Sequence, residues 1–161
     1  MTYERVSVAL LVPANVMYSM AFVTHSWFEL PGASYGLWLA EFCDYLRCQL
    51  IPAFFTEEPV WYHILQILSL LGLIGMTVPL ILLTSKTVDF GIPEKLKMKR
   101  HQAASTICIA SGFVISLSLL MFYGKLDESH TKATPQIRWS SVFAGVACLL
   151  QLGAGLVLTQ I

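Results

Sequence analysis

Four apolar runs, none containing Asp, Glu, Lys or Arg, constrain this chain more than any other feature. They cover residues 6–24, 60–83, 103–123 and 139–161. Each is long enough, as a helix, to cross a hydrocarbon core of about 30 Å. Only 12% of the residues are charged, against about 25% in soluble domains. The expected fold class is therefore an all-α membrane protein, with four transmembrane helices as a single domain of 161 residues. The formal net charge is zero, so no global field recruits nucleic acid. The expected partners are the lipid bilayer and other integral membrane proteins.

The first run is interrupted by Pro13 and Asn15 and preceded by Arg5. A cleaved signal peptide competes with a retained helix there. The run exceeds the usual apolar region of a signal, about 7–15 residues, which favours retention. Charge distribution sets orientation. The connection at 84–102 holds Lys86, Lys95, Lys97, Lys99 and Arg100, whereas the loop at 25–59 holds only Arg47 against Glu29, Glu41, Asp44, Glu57 and Glu58. The basic connection is expected in the cytoplasm and the long loop outside. Both termini then face the cytoplasm, and the loop at 124–138 lies outside. Plasma membrane is the expected location.

Within the long loop, residues 26–30 and 35–40 carry β-favouring aromatics and are separated by Pro31-Gly32, a strand–turn–strand signal. Cys43 and Cys48 lie on the side that biosynthesis makes oxidising. A disulfide between them is expected, with two free thiols as the alternative. Glu57-Glu58-Pro59 suits the entry to a helix, and Trp61, Tyr62 and Trp139 fit an interfacial aromatic belt.

Small residues predict how the helices meet. Ser69, Gly72 and Gly75 form a strip in the second helix, and Pro79 invites a kink. Ala104, Cys108, Gly112 and Ser116 recur along the third; Ser141, Gly145 and Gly153, with Leu149, are assigned to the fourth. Small side chains let backbones approach where lipid removes the hydrophobic drive. A tight left-handed bundle of helices two, three and four is the expectation. Gln66 and Gln151 are expected to hydrogen-bond between helices rather than mark a pathway, and Cys108 and Cys148 to be packing residues.

Trp27, then Gly36-Leu37-Trp38, then Cys43 and Cys48, resembles the Trp…Gly-Leu-Trp…Cys…Cys signature of the claudin, epithelial membrane protein and peripheral myelin protein superfamily. Residues 138–145, Arg-Trp-Ser-Ser-Val-Phe-Ala-Gly, and Phe122-Tyr123-Gly124 are similar to that family's entry to the last span and exit from the third. The loop is closer in length to the epithelial membrane proteins than to claudins. The resemblance implies a small extracellular β-sheet capping the bundle, framed by Trp27, Gly36, Leu37, Trp38, Cys43 and Cys48. It also implies a non-enzymatic role: an accessory subunit of a channel or receptor, or an organiser of cell–cell contact.

Catalytic readings find little to rest on. The histidines His25, His63, His101 and His130 show no metal-ligand spacing, and no Ser/His/Asp set can be assigned. No catalytic residue, cofactor or metal is expected. The chain ends at Thr159-Gln160-Ile161, a hydroxyl-x-aliphatic pattern that a scaffold's groove could read, but a helix needing about 20 residues from Trp139 leaves it no tail.

Overall fold

The computed structural model describes residues 2–53, 59–85, 94–128 and 134–160. Lys86, Glu57, Glu58, His130 and Ile161 lie outside the described residues, and of Lys95 and Lys97 only the backbone is described.

Four helices, α1 (Thr2–Val23), α2 (Val60–Thr84), α3 (Glu94–Glu128) and α4 (Trp139–Leu158), carry most of the chain. Each contains a segment long and apolar enough to cross a membrane: Tyr3–Val23, Val60–Thr84, Lys99–Asp127 and Trp139–Leu158. α3 runs well past its apolar stretch at both ends. Lys, Arg and Glu end the hydrophobicity there but are good helix formers, so the backbone continues. α1 likewise takes in Glu4 and Arg5, and passes through Pro13 without losing its helical assignment.

Each helix buries one stripe. In α2 it is Tyr62, Leu65, Gln66, Ser69, Gly72, Met76, Pro79 and Leu83, spaced by three or four, the period of one helix face. The opposite faces present large apolar side chains outward, among them Ile67, Leu71, Ile81, Phe113, Leu120, Leu149 and Leu156. Water does not favour such a surface, whereas hydrocarbon accepts it.

The expected tight trio of helices two, three and four is corrected. α1 packs most extensively of all, against α4; α2 with α3 and α3 with α4 follow, and α1 with α2 is the thinnest of these four contacts. The reason is visible on α1, where Ser7, Leu11, Ala14, Tyr18 and Ala21 form a small-and-large buried stripe that seats another helix. The strip assigned to α4 is also out of phase. A Cβ at Gly145 or Gly153 would meet nothing within 4 Å, and Leu149 points outward. The buried face is Ser140, Ser141, Ala144, Ala147, Cys148, Gln151, Ala154, Gly155 and Leu158. Gly155 makes the close approach, since a Cβ there would lie 2.9 Å from Cγ1 of Ile109 and 3.1 Å from Cβ of Cys108. Elsewhere the small residues sit at real crossings: a Cβ on Gly72 or Gly75 would meet Ile115 or Ser111 of α3, and one on Gly112 would meet Leu152 of α4.

Between α1 and α2 lies a hairpin meander: β1 (Phe28–Leu30), β2 (Ala33–Tyr35), β3 (Leu39–Cys43) and β4 (Cys48–Pro52). A short β5 (Gln136–Ile137), before α4, completes an antiparallel sheet in the order β4-β3-β2-β1-β5. Pro31-Gly32 makes the first turn, with Gly32 at φ 83°; proline then glycine supplies the two backbone angles such a turn requires. Residues 35–40, expected as one strand, are split. Gly36, Leu37 and Trp38 leave the ladder, closed by a Gly36 N–H to Leu39 carbonyl bond of 2.8 Å. Aromatic content favoured a strand, but the side chains of Leu37 and Trp38 have packing to satisfy outside it.

Candidate functional site

The sheet caps the end of the bundle where α1 and α3 finish and α2 and α4 begin. Register shows why one of its faces is apolar. Phe28 pairs with Tyr35, Tyr35 with Ala40, and Ala40 with Ile51. Because strand side chains alternate, these residues share a face with Leu30, Ala33 and Phe42. Phe28 stacks on Tyr35 at 5.0 Å and touches Phe122 of α3 at 5.9 Å, so this face meets the helices. The other face carries the row Glu29, Ser34 and Glu41.

The Trp27 and Gly36–Trp38 motif residues converge at the junction of sheet and helices. Trp27 is 2% exposed. Its indole N–H donates to the Ala21 carbonyl at 2.6 Å, and its ring meets Phe122 edge-on at 5.3 Å. Gly36 rests directly on the end of α1: a Cβ there would collide with the Thr24 carbonyl and lie 2.5 Å from Cα of His25. Only glycine permits that approach. The carbonyls freed when Gly36 and Leu37 leave the ladder are taken up by α2. Tyr62 donates its hydroxyl to the Gly36 carbonyl, and Gln66 Nε2 donates to the Leu37 carbonyl at 2.7 Å. His63 Nδ1 lies 3.2 Å from Gln66 Oε1 and orients that amide. Leu37 is buried, and Trp38 packs on Phe22 with ring centroids 5.4 Å apart. From α4, Ser140 shares a 2.8 Å bond with Thr24; Arg138, just before that helix, pairs with Glu29. His25 pairs with Glu41 at 3.0 Å. Residues of α1, α2 and α3 thus hold the sheet layer, and Arg138, just before α4, ties β1 to the start of that helix.

Two sequence expectations change here. Tyr62 is 4% exposed and anchors the sheet rather than joining an aromatic belt. Gln66 bonds to the sheet and not to another helix. Gln151 does reach across, donating to Ser111 Oγ at 2.9 Å. It belongs to a line of polar contacts through the bundle. Asn15 Nδ2 donates to the Met76 carbonyl at 3.1 Å and Tyr18 to the Ser69 carbonyl at 3.2 Å. Ser69 meets Ser118 at 3.1 Å, Ser105 donates to the Gly155 carbonyl at 3.1 Å, and Ser116 lies 3.2 Å from the Cys148 sulfur. Asn15 Oδ1 and Gln151 Oε1 are buried with no hydrogen-bond partner among the described residues. Sequence reasoning noted Asn15 only as an interruption of the first run and passed over Tyr18, although polar residues within an apolar run are the signal that finds such bonds.

Cys43 and Cys48 form a disulfide, while Cys108 and Cys148 are free and buried. Glu41, Cys43 and Cys48 lie close enough together to suggest a metal set. The cystine uses both sulfurs, however, and His25 already engages the carboxylate. The disulfide closes the β3–β4 hairpin across Asp44-Tyr45-Leu46-Arg47. The Asp44 N–H to Arg47 carbonyl bond is 2.8 Å, and Asp44 Oδ1 accepts from the Tyr45 N–H at 2.8 Å. At this clamped tip Tyr45 is 104% and Leu46 93% exposed. Sequence reasoning overlooked the pair; two large apolar residues confined between close cysteines were the legible hint. Beside the tip is a hollow lined by Gly32, Phe42, Asp44, Leu46, Arg47 and Gln49. β4 is an edge strand whose outer backbone groups pair with no other strand of the sheet.

No family model matches this sequence, and no curated protein is similar to it at a meaningful level.

Proposed function

We propose that this is a non-enzymatic, claudin-like, four-pass membrane protein that works by association with other membrane proteins. In this reading the four helices span the plasma membrane as a left-handed bundle. The sheet lies on the extracellular side, and the helix ends near Arg5 and Arg100 face the cytoplasm, in keeping with the basic residues gathered there. The protein serves as an accessory subunit of a larger complex such as a channel or receptor.

The observation that carries this reading is the Tyr45–Leu46 tip on a sheet layer hydrogen-bonded to α1 and α2 and packed on Phe122 of α3. The cystine and the turn's own hydrogen bonds fix the backbone that carries these two exposed apolar side chains, so a partner that docks on them has less backbone to order. Because the sheet is fixed to the bundle, a partner that grips the tip also feels the lipid-facing helices. The β4 edge offers a second point of attachment by strand addition.

The test is affinity purification of the full chain from native tissue in mild detergent. A larger multi-span partner is expected to co-purify, and the double variant Tyr45→Ala, Leu46→Ala is expected to lose it while still reaching the cell surface. Recovery only as self-associated oligomers, with aggregation of expressing cells, would instead favour an organiser of cell–cell contact.

A further inference from the structure

A cleft opens between α1 and α2 at the end of the bundle away from the sheet. Glu4, Arg5, Val8, Ala9 and Val12 line it from α1, Leu83 and Thr84 from α2. It has a volume of about 480 Å³. Two features create it: α1 leans on α4 far more than on α2, and Ala9 supplies little bulk. Residues 5, 8, 9 and 12 recur at the spacing of one helix face. The floor is therefore apolar, and the charges sit together at one end. At 1.5 Å per residue the wall from Arg5 to Val12 runs for about 10 Å. Arg5 is exposed and forms no hydrogen bond or ion pair with another described residue. Beyond Thr84, Ser85 accepts a hydrogen bond from Arg100, which brings a second cation to this end.

We propose that this cleft binds one phosphatidylethanolamine molecule; the proposal rests on reading the four helices as membrane spans. The acyl chain lies along Val8, Ala9, Val12 and Leu83. The phosphate accepts charge-assisted hydrogen bonds from the Arg5 guanidinium, whose planar fork suits phosphate oxygens. The primary ammonium donates to the Glu4 carboxylate. Adjacent groups of opposite sign select this headgroup. A choline headgroup has no N–H to give Glu4, and a glycerol headgroup sets no cation against it.

The full chain, with its disulfide intact, would be reconstituted in nanodiscs holding equal amounts of phosphatidylethanolamine, phosphatidylcholine and phosphatidylglycerol. Native mass spectrometry after mild delipidation reads what stays bound. One phosphatidylethanolamine is expected, retained several-fold over the other two. Glu4→Gln should abolish discrimination against phosphatidylcholine. Arg5→Ala should lose retention of all three, Arg5→Lys should recover part of it, and Ala9→Phe should block the cleft. Near-ultraviolet circular dichroism of the aromatic side chains checks that each variant is folded. Equal retention of the three headgroups by the native chain, or a preference unchanged in Glu4→Gln and Arg5→Ala, would overturn the site while leaving the membrane reading intact. A folded chain that does not enter the discs would overturn the membrane reading and the site with it.

Discussion

The sheet has two regions that differ in how they are held. Around Trp27, Gly36 and Leu37 three polar groups are bonded to the helices: the Trp27 indole to Ala21, and two carbonyls to Tyr62 and Gln66. Around Asp44–Arg47 the side chains of Tyr45 and Leu46 stand almost fully exposed, and the turn is held by its own cystine and backbone. Both regions are rich in aromatic and leucine side chains, so composition does not distinguish them. Partnering does. A side chain with its bonds satisfied inside the fold contributes to stability, and one standing exposed on a cystine-closed turn is available to another molecule. Substitutions in the two regions should therefore separate cleanly, with stability lost in the first and association lost in the second.

The largest effect should come from Trp27→Ala. It removes a fully buried ring that meets Phe122 and leaves the Ala21 carbonyl without its indole donor. Loss of a buried aromatic costs about 3–5 kcal/mol. Thermal unfolding in detergent, followed by near-ultraviolet circular dichroism, should show a large drop in midpoint. Gly36→Ala should come next, at about 3 kcal/mol, the upper end of overpacking penalties. The obstacle is the backbone at Thr24 and His25, which cannot swing aside as a side chain could. A variant as stable as the native chain would mean that the sheet does not sit this close to α1. Gly145→Ala, which meets only open space within the chain, is the matched control and should be near neutral.

A smaller loss, about 1–3 kcal/mol, is expected for Gln66→Leu, because the buried Leu37 carbonyl is left without a donor. Hydrogen exchange should localise the change to residues 36–38 and leave the ends of α1 and α2 away from the sheet protected. Exchange that rises evenly over the bundle would show Gln66 acting between helices instead of on the sheet.

How much of this could be read from sequence depended on the kind of signal. Four charge-free apolar runs are long, and length alone makes helix the answer, so the four helices were legible. The cystine was legible because two close cysteines fell in the loop assigned to the oxidising side. The phase of a helix was not legible where glycine was used as a marker. On α4, Gly145 and Gly153 drew attention, yet the packed face is set by serine, alanine and cysteine, with Gly155 at the crossing. Small size permits close approach but does not compel it. The split of residues 35–40 was hidden for a related reason. Local propensity favours a strand there, and the carbonyl acceptors are claimed by Tyr62 and Gln66 from a helix that sequence order places far away. β5 was hidden because two residues carry no periodic signal.

The smallest effect on stability, and the most informative one, belongs to Tyr45→Ala with Leu46→Ala. Both side chains are almost fully exposed, so the unfolding midpoint should stay within the change of about 0.5 kcal/mol typical of surface sites. Partner capture should nevertheless fall sharply, because an exposed aromatic is the residue type that dominates binding energy. Cys43→Ser with Cys48→Ser sharpens the same point from the other side. It keeps Tyr45 and Leu46 but releases the clamp, at a cost of about 2 kcal/mol for so short a loop by the chain-entropy estimate. If rigidity of the tip is what matters, capture should weaken in the serine variant as well, through faster dissociation. Undiminished capture by the alanine pair would move the contact off the tip and onto the β4 edge or the helix flanks. Those surfaces could then be tested in turn by placing a lysine at Leu50 or at Leu71.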